Sequence, residues 1–174
     1  GDVYKRQIGN STTTPRDLEN DLDVWIIQIA LAESVAARLR KHGFKCKTVE
    51  ITVRDNGLYS FSRQIHLRQP TNITNEIVTA AFQLFKDNYK WEHPIRSLGI
   101  RAADLVLDDI PVQLDLFGNQ EKKEKLEKLD RTVDEIRRRF GYFSIQRAAM
   151  YQDKVLSHLD AGTHTIHPHS YFHG

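Results

Sequence analysis

The strongest constraint on the fold is a change of hydrophobic period at Gly43. Before this residue, apolar side chains recur at alternating steps of four and three, which places them on one helical face. They are Leu18, Leu22, Trp25, Ile29, Ala32, Ala36 and Leu39. After it, Val49, Ile51 and Val53 alternate with polar residues, as in a strand with one buried face. The switch predicts a helix, ended by a left-handed cap at Gly43, that packs against a sheet.

The segment before this helix is rich in hydroxyl groups. Residues 8–14 read as a short strand, and Thr14 is predicted to cap the helix with Pro15 at its first position. The helix is therefore expected to begin within 14–17.

Turn signals divide the middle of the chain. Residues 55–57, Asp-Asn-Gly, predict a hairpin between strands 45–54 and 58–67, and Pro70 is expected to end the second strand. Thr71 or Asn72 then caps a second helix that reaches about Tyr89. Residues 95–105 alternate again and predict a last strand.

The resulting order is strand–helix–strand–strand–helix–strand, an α+β class fold. This is the split βαβ pattern, an antiparallel sheet with both helices on one face. The opposite face is expected to stay open and to display small or basic side chains. They are Thr48, Thr52, Ser97, Gly99 and Arg101.

A helical C-terminal tail follows. Residues 120–140 form a highly charged helix with a narrow apolar stripe, which favours packing on the domain or on a partner. The stripe consists of Leu126, Leu129, Val133, Ile136 and Phe140. Ser144 is expected to cap a further short helix over 145–151. Residues 158–174 contain scattered histidines, and we expect them to be flexible and to hold no metal.

Composition excludes several classes of protein. The chain has 174 residues, 40% hydrophobic and 28% charged, with one cysteine and a net charge of +2. It can form no internal disulfide or Cys-built zinc site, and its longest apolar run, 24–32, is too short to span a membrane. Residues 38–68 are locally basic, which is weak evidence for a polyanion partner. We expect a soluble intracellular protein.

The start of the chain is also informative. It begins with Gly1, and its single methionine is Met150. We therefore expect the chain to be the C-terminal part of a longer protein.

Four stretches together resemble one family. Residues 8–17, 36–49 and 94–101 resemble the little-finger domain of bacterial Y-family translesion DNA polymerases of the DNA polymerase IV type. Residues 113–117, Gln-Leu-Asp-Leu-Phe, resemble the peptide with which such polymerases bind the sliding clamp. Their order along the chain is that of the family.

The resemblance implies a division of the chain into five segments. Residues 1–7 end a linker from an absent polymerase core, 8–107 form the DNA-binding domain, and 108–118 contain the clamp-binding peptide. The helical tail is 119–157, and 158–174 are the histidine-containing end.

The implied function is binding. The family grips damaged template-primer DNA through phosphates and attaches to the sliding clamp (β subunit) during DNA repair, in the cytoplasm at the nucleoid. The Mg²⁺-dependent catalytic core would precede residue 1. We therefore expect this fragment to carry no cofactor or catalytic residue and to be inactive alone. We also expect it to be monomeric. The alternative is a stand-alone split βαβ nucleic-acid-binding or regulatory module.

Residues predicted to contact DNA are hydroxyl-bearing or basic. They are Ser11, Thr12, Thr13, Thr14, Lys45, Lys47, Ser62, Arg63, Arg96 and Arg101. Solvated surface charge is the alternative for each basic residue. Arg63 shares strand parity with Phe61, which should be buried, so a bulge or an early strand end would be needed to expose it.

Residues predicted to bind the clamp are Gln113, Leu114, Asp115, Leu116 and Phe117. Leu116 and Phe117 would enter an apolar pocket while the Gln113 amide hydrogen-bonds nearby. The alternative is that these apolar residues only cover the edge of the domain. The motif often ends a chain, whereas here 57 residues follow it (174 − 117).

Overall fold

The sheet has four antiparallel strands in the spatial order β1–β4–β2–β3. The computed structural model describes residues 7–109 and 120–157. Its strands are β1 (Ile8–Leu18), β2 (Phe44–Asp55), β3 (Ser60–Thr71) and β4 (Ile95–Leu107). Since β1 and β2 each pair antiparallel with β4, they run in the same direction with β4 between them. The predicted split βαβ fold is confirmed.

Two helices cover one face of this sheet. Helix α1 (Asp21–His42) and helix α2 (Thr74–Asn88) bury apolar side chains against the inward residues of β2 and β4. Val49, Ile51 and Val53 lie in this core, as their alternation predicted. An antiparallel sheet needs only one covered face, so the other remains accessible.

The predicted start of α1 is wrong. Strand β1 continues to Leu18, and the helix begins after Asn20, whose side chain accepts a hydrogen bond of 2.9 Å from the Asp23 N–H. Pro15 fits into β1 because this is an edge strand with an irregular register between Thr13 and Leu18. The predicted left-handed cap at Gly43 is confirmed, with φ 73°.

The predicted boundary between β3 and α2 is wrong for a related reason. Strand β3 is the other edge strand, so it passes through Pro70 and ends at Thr71. Helix α2 begins at Thr74 without a cap from its own segment. Instead, the carboxylate of Asp130 in the tail accepts the Thr74 N–H at 2.8 Å.

The tail packs against the domain. Helix α3 (Gln120–Phe140) has the predicted bounds and is followed by two 3₁₀ turns, Tyr142–Ser144 and Ala148–Gln152, and by α4 (Lys154–Ser157). The single helix predicted over 145–151 is wrong. Met150 and Leu156 join the domain core.

Charge rather than the apolar stripe attaches α3. Leu129 and Phe140 are exposed, whereas Asp130 is the buried residue of this helix. Asp130 and Asp134 lie 3.2 and 2.7 Å from the guanidinium of Arg40, which is only 5% exposed. Arg137 and Arg147 both pair with the buried Glu33 of α1, a second link between tail and domain. Within the described residues, no helix is long and apolar enough to cross a membrane.

Candidate nucleic-acid interface

The face opposite the helices is organised in cross-strand rows. Side chains that lie between the buried residues of each strand point to this face, and strand register aligns them across β1, β4, β2 and β3 in that order. The three rows are Gly9–Arg101–Glu50–Gln64, Ser11–Gly99–Thr52–Ser62 and Thr13–Ser97–Arg54–Ser60. We call this surface the open face.

The middle row carries short side chains with hydroxyl groups on both sides of a glycine. A Cβ atom added at Gly99 would lie 2.3 Å from Thr52 Oγ1 and 3.1 Å from Ser11 Cβ. The glycine is therefore required by its neighbours, and the row stays flat. The hydroxyl groups of this row can donate hydrogen bonds to acceptor atoms of a ligand that approaches the sheet closely.

The outer rows supply the charge. Arg54 is exposed, and Arg101 is partly exposed in an ion pair with Glu50. The Arg101 Nη2 atom donates to Glu50 Oε2 at 2.5 Å, while its buried Nε has no hydrogen-bond partner among the described residues. The pair holds the guanidinium in place and leaves N–H groups for a further acceptor.

The four predicted hydroxyl residues of β1 divide between the two faces. Ser11 and Thr13 lie on the open face. Thr12 and Thr14 are buried on the helix side, where Thr12 donates to the Thr13 carbonyl at 3.0 Å and Thr14 to the Arg16 carbonyl at 2.5 Å. The side chains of Thr12 and Thr14 are therefore directed away from a ligand on the open face.

Arg63 lies off the open face. It pairs with Ile51 in the β2–β3 register and keeps the parity of Phe61, with its guanidinium carbon 5.3 Å from the Phe61 ring centroid. Neither a bulge nor a strand end occurs there. Arg63 is exposed because β3 is the edge strand, whereas its neighbours Ser62 and Gln64 lie on the open face.

The remaining predicted basic residues lie at the margins. Lys45 is 3.7 Å from Glu127 of α3, and Arg96 is 3.3 Å from Asp17 at the end of β1. Lys47 is exposed on β2. Of the predicted DNA-contacting set, the structure thus brings Ser11, Thr13, Ser62 and Arg101 together; the placement leaves their role a prediction.

Sequence reasoning did not include Glu50, Arg54 and Gln64 of the open face among the candidate functional residues. Each lies on a strand that was recognised, and alternation alone places them opposite the core. The sequence did not predict which residues are their cross-strand neighbours, because cross-strand register depends on the whole sheet.

Arg38 supports β1 from the helix side. Its guanidinium donates to the Gly9 carbonyl at 3.1 Å, and burial lowers the pKa of this arginine.

The predicted clamp-binding residues 113–117 and the histidines of 158–174 lie outside the described residues.

The chain is similar to proteins of one known family. Residues 5–116 match the family model described as the impB/mucB/samB family C-terminal domain. DNA polymerase IV of Acetivibrio thermocellus is 44% identical over 154 residues, which are 88% of this chain and 39% of that protein. DNA polymerase IV 2 of Bacillus subtilis is 35% identical over 149 residues, 83% of this chain and 35% of that protein. The chain thus spans about two fifths or less of these relatives.

A solved structure is also similar. It is described as a complex of the beta-clamp processivity factor and the little finger domain of PolIV. The match has a TM-score of 0.49 at 15% identity and covers 64% of this chain and 99% of that one.

Proposed function

Because this chain belongs to the impB/mucB/samB family, whose C-terminal domain occupies residues 5–116, we propose that it binds DNA and the sliding clamp for a Y-family DNA polymerase. The resemblance of the sequence to the little-finger domain of DNA polymerase IV is confirmed by the family model and by the relatives. Those relatives carry the matching segment within longer polymerases, which favours this proposal over a stand-alone module.

The observation that carries the DNA-binding proposal is the flat hydroxyl row flanked by arginines. Ser11, Thr52 and Ser62 can donate to phosphate oxygens across Gly99, and Arg54 and Arg101 supply positive charge on either side. None of these groups is set in a pocket shaped for a base. Contacts of this kind position a duplex and read little sequence, as a polymerase acting at damaged template-primer DNA requires.

The clamp-binding proposal rests on residues 113–117. Leu116 and Phe117 are large apolar side chains, and burying each in a pocket contributes roughly 1.5–3 kcal/mol. Ordering the peptide offsets part of this gain, so we expect a dissociation constant on the order of micromolar.

Catalysis is assigned to the rest of such a polymerase. Within residues 7–109 and 120–157, no three His, Cys, Asp or Glu side chains are grouped as metal ligands. For the whole protein we propose template-directed nucleotidyl transfer past lesions, a role in DNA repair and a location at the nucleoid. This chain would contribute DNA binding and clamp binding.

DNA binding is tested by the salt dependence of fluorescence anisotropy with a labelled duplex. Each phosphate contact contributes about −0.9 to the slope of log affinity against log salt. Arg101→Ala and Arg54→Ala should each weaken binding and flatten the slope by about that amount. Arg138→Ala, on the exposed side of α3, is the control. A flat salt response of the unaltered chain contradicts the proposal.

Clamp binding is tested by titrating a bacterial sliding clamp with the full chain. The double variant Leu116→Ala, Phe117→Ala should abolish binding. Leu58→Ala removes an exposed leucine from the β2–β3 turn and should leave binding unchanged. Equal affinity of the double variant and the unaltered chain contradicts the assignment of this peptide.

A further inference from the structure

A polar triad lies at one end of the open face. Thr48 is opposite His66 in the β2–β3 register, and its Oγ1 lies 2.9 Å from His66 Nδ1. The same Oγ1 donates to Asp104 Oδ2 at 2.6 Å. Asp104 has a φ of 52°, a conformation that aspartate tolerates better than most residues. Thr48 is 1% exposed beneath these neighbours, whereas His66 and Asp104 are exposed.

The hydrogen bonds of Thr48 determine which ring nitrogen of His66 carries the proton. A threonine hydroxyl has one proton, and an ionised carboxylate can only accept. Since the Thr48 proton goes to Asp104, the contact with His66 requires that Nδ1–H donates to Thr48 Oγ1. The neutral ring therefore carries its proton on Nδ1, and its Nε2 is an unprotonated acceptor that cannot bond a phosphate oxygen.

We propose that His66 is a pH-dependent phosphate contact of the open face, switched on when its outer ring nitrogen, Nε2, gains a proton. The inference rests on the proposed DNA-binding function. Histidine is the side chain that ordinarily changes charge between pH 5 and 8. Because Nδ1 stays bonded to Thr48, the added proton must reside on Nε2, where it makes a charged donor on the face that meets DNA.

Strand register aligns His66 with Thr48 of β2 and, beyond it, Ala103 of β4. The charged residues within two positions of these three are Asp104 and Arg101 on β4, Lys47 and Glu50 on β2, and Arg68 on β3. Arg101 and Glu50 pair with each other one row away. Asp104 is thus the carboxylate joined to the histidine, through Thr48.

The tautomer is tested directly by NMR of the full chain, using two-bond ¹H–¹⁵N correlations of the histidine rings at pH 8. His66 should carry its proton on Nδ1, and Thr48→Val should remove that preference. A neutral His66 protonated at Nε2 in the unaltered chain overturns the inference without any reference to DNA.

Binding is tested with a rhodamine-labelled duplex at pH 6 and pH 8. Adding one charged hydrogen bond should tighten binding about tenfold or more at pH 6, and the salt slope should steepen by about 0.9. His66→Gln should lose both changes, and His66→Arg should bind tightly at both pH values. His93→Gln, an exposed histidine before β4, should respond as the unaltered chain does.

The outcomes separate this inference from the function on which it rests. Salt-dependent binding whose pH response survives in His66→Gln overturns the role of His66 and leaves the DNA-binding proposal standing. Absence of salt-dependent binding by the unaltered chain at both pH values overturns both. Circular dichroism of each variant verifies that the fold is retained.

Discussion

Arg101 of β4 donates a 2.5 Å hydrogen bond to Glu50 of β2, its direct cross-strand neighbour. The arginine lies on a central strand of the open face, and the negative charge of the glutamate opposes its positive charge. Under the proposed function, we infer that the pair orients a hydrogen-bond donor for phosphate and restrains the attraction of that donor for DNA.

Removing the glutamate charge should strengthen DNA binding. Two unit charges about 4 Å apart interact by about 1 kcal/mol at the dielectric constant of bulk water, so Glu50→Gln should bind DNA roughly fivefold more tightly at low salt. The gain should shrink at high salt because the effect is electrostatic. Anisotropy at two salt concentrations measures it, with Glu121→Gln in α3 as the matched control. Weaker binding by Glu50→Gln would mean that orientation by the pair matters more than its charge.

A side chain at position 99 should destabilise the sheet. In Gly99→Ala the new methyl group would collide with Thr52 Oγ1, and overpacking of this kind costs roughly 1–3 kcal/mol. Urea denaturation measures the loss. Thr52→Ala combined with Gly99→Ala should recover part of it, and Ser97→Ala two residues away should change little. Full stability of Gly99→Ala contradicts the close approach seen here.

The tail should contribute to the folding stability of the domain. Asp130→Asn removes the charge that pairs with buried Arg40 and weakens the acceptor for the Thr74 N–H. Breaking a buried pair from one side costs about 3 kcal/mol, so the midpoint of urea unfolding should fall markedly. Glu135→Gln, whose partners Arg138 and Arg139 are exposed, should leave the midpoint unchanged. Equal behaviour of the two variants would show that α3 does not stabilise α2.

The single thiol should be unreactive in the native protein. Burial raises the pKa of Cys46 to about 12, so the thiol stays neutral and inaccessible at pH 8. A disulfide reagent should label it in urea and leave it unlabelled without urea; rapid native labelling contradicts this.

The same pKa shift predicts the direction of a pH effect on stability. In the unfolded chain the thiol ionises near a pKa of roughly 8.5. Its contribution to stability is therefore complete below that pH and is lost as pH rises toward about 12. From pH 8 to 10 the free energy of unfolding should fall more for the unaltered chain than for Cys46→Ala.

Local patterns were enough to identify the elements. The period change at Gly43, the Asp-Asn-Gly turn and the alternation over 95–105 each reflect a rule that acts within a few residues, so their elements appear where predicted. The boundaries at Pro15 and Pro70 were misjudged because a proline ends a strand only if its missing N–H is needed by a neighbour. Both prolines lie on edge strands, and edge position is a property of the assembled sheet.

By itself the sequence determined the fold class, the family and the buried face of β2, with Val49, Ile51 and Val53. Only the tertiary structure decided which residues meet: Glu50 beside Arg101, Thr48 between His66 and Asp104, and Asp130 at the start of α2. The physical reason is the separation along the chain of the residues that interact. Helix and strand periods arise from neighbours along the chain, whereas cross-strand register and buried charge pairs join residues tens of positions apart, and their energies exist only once the sheet and tail have packed.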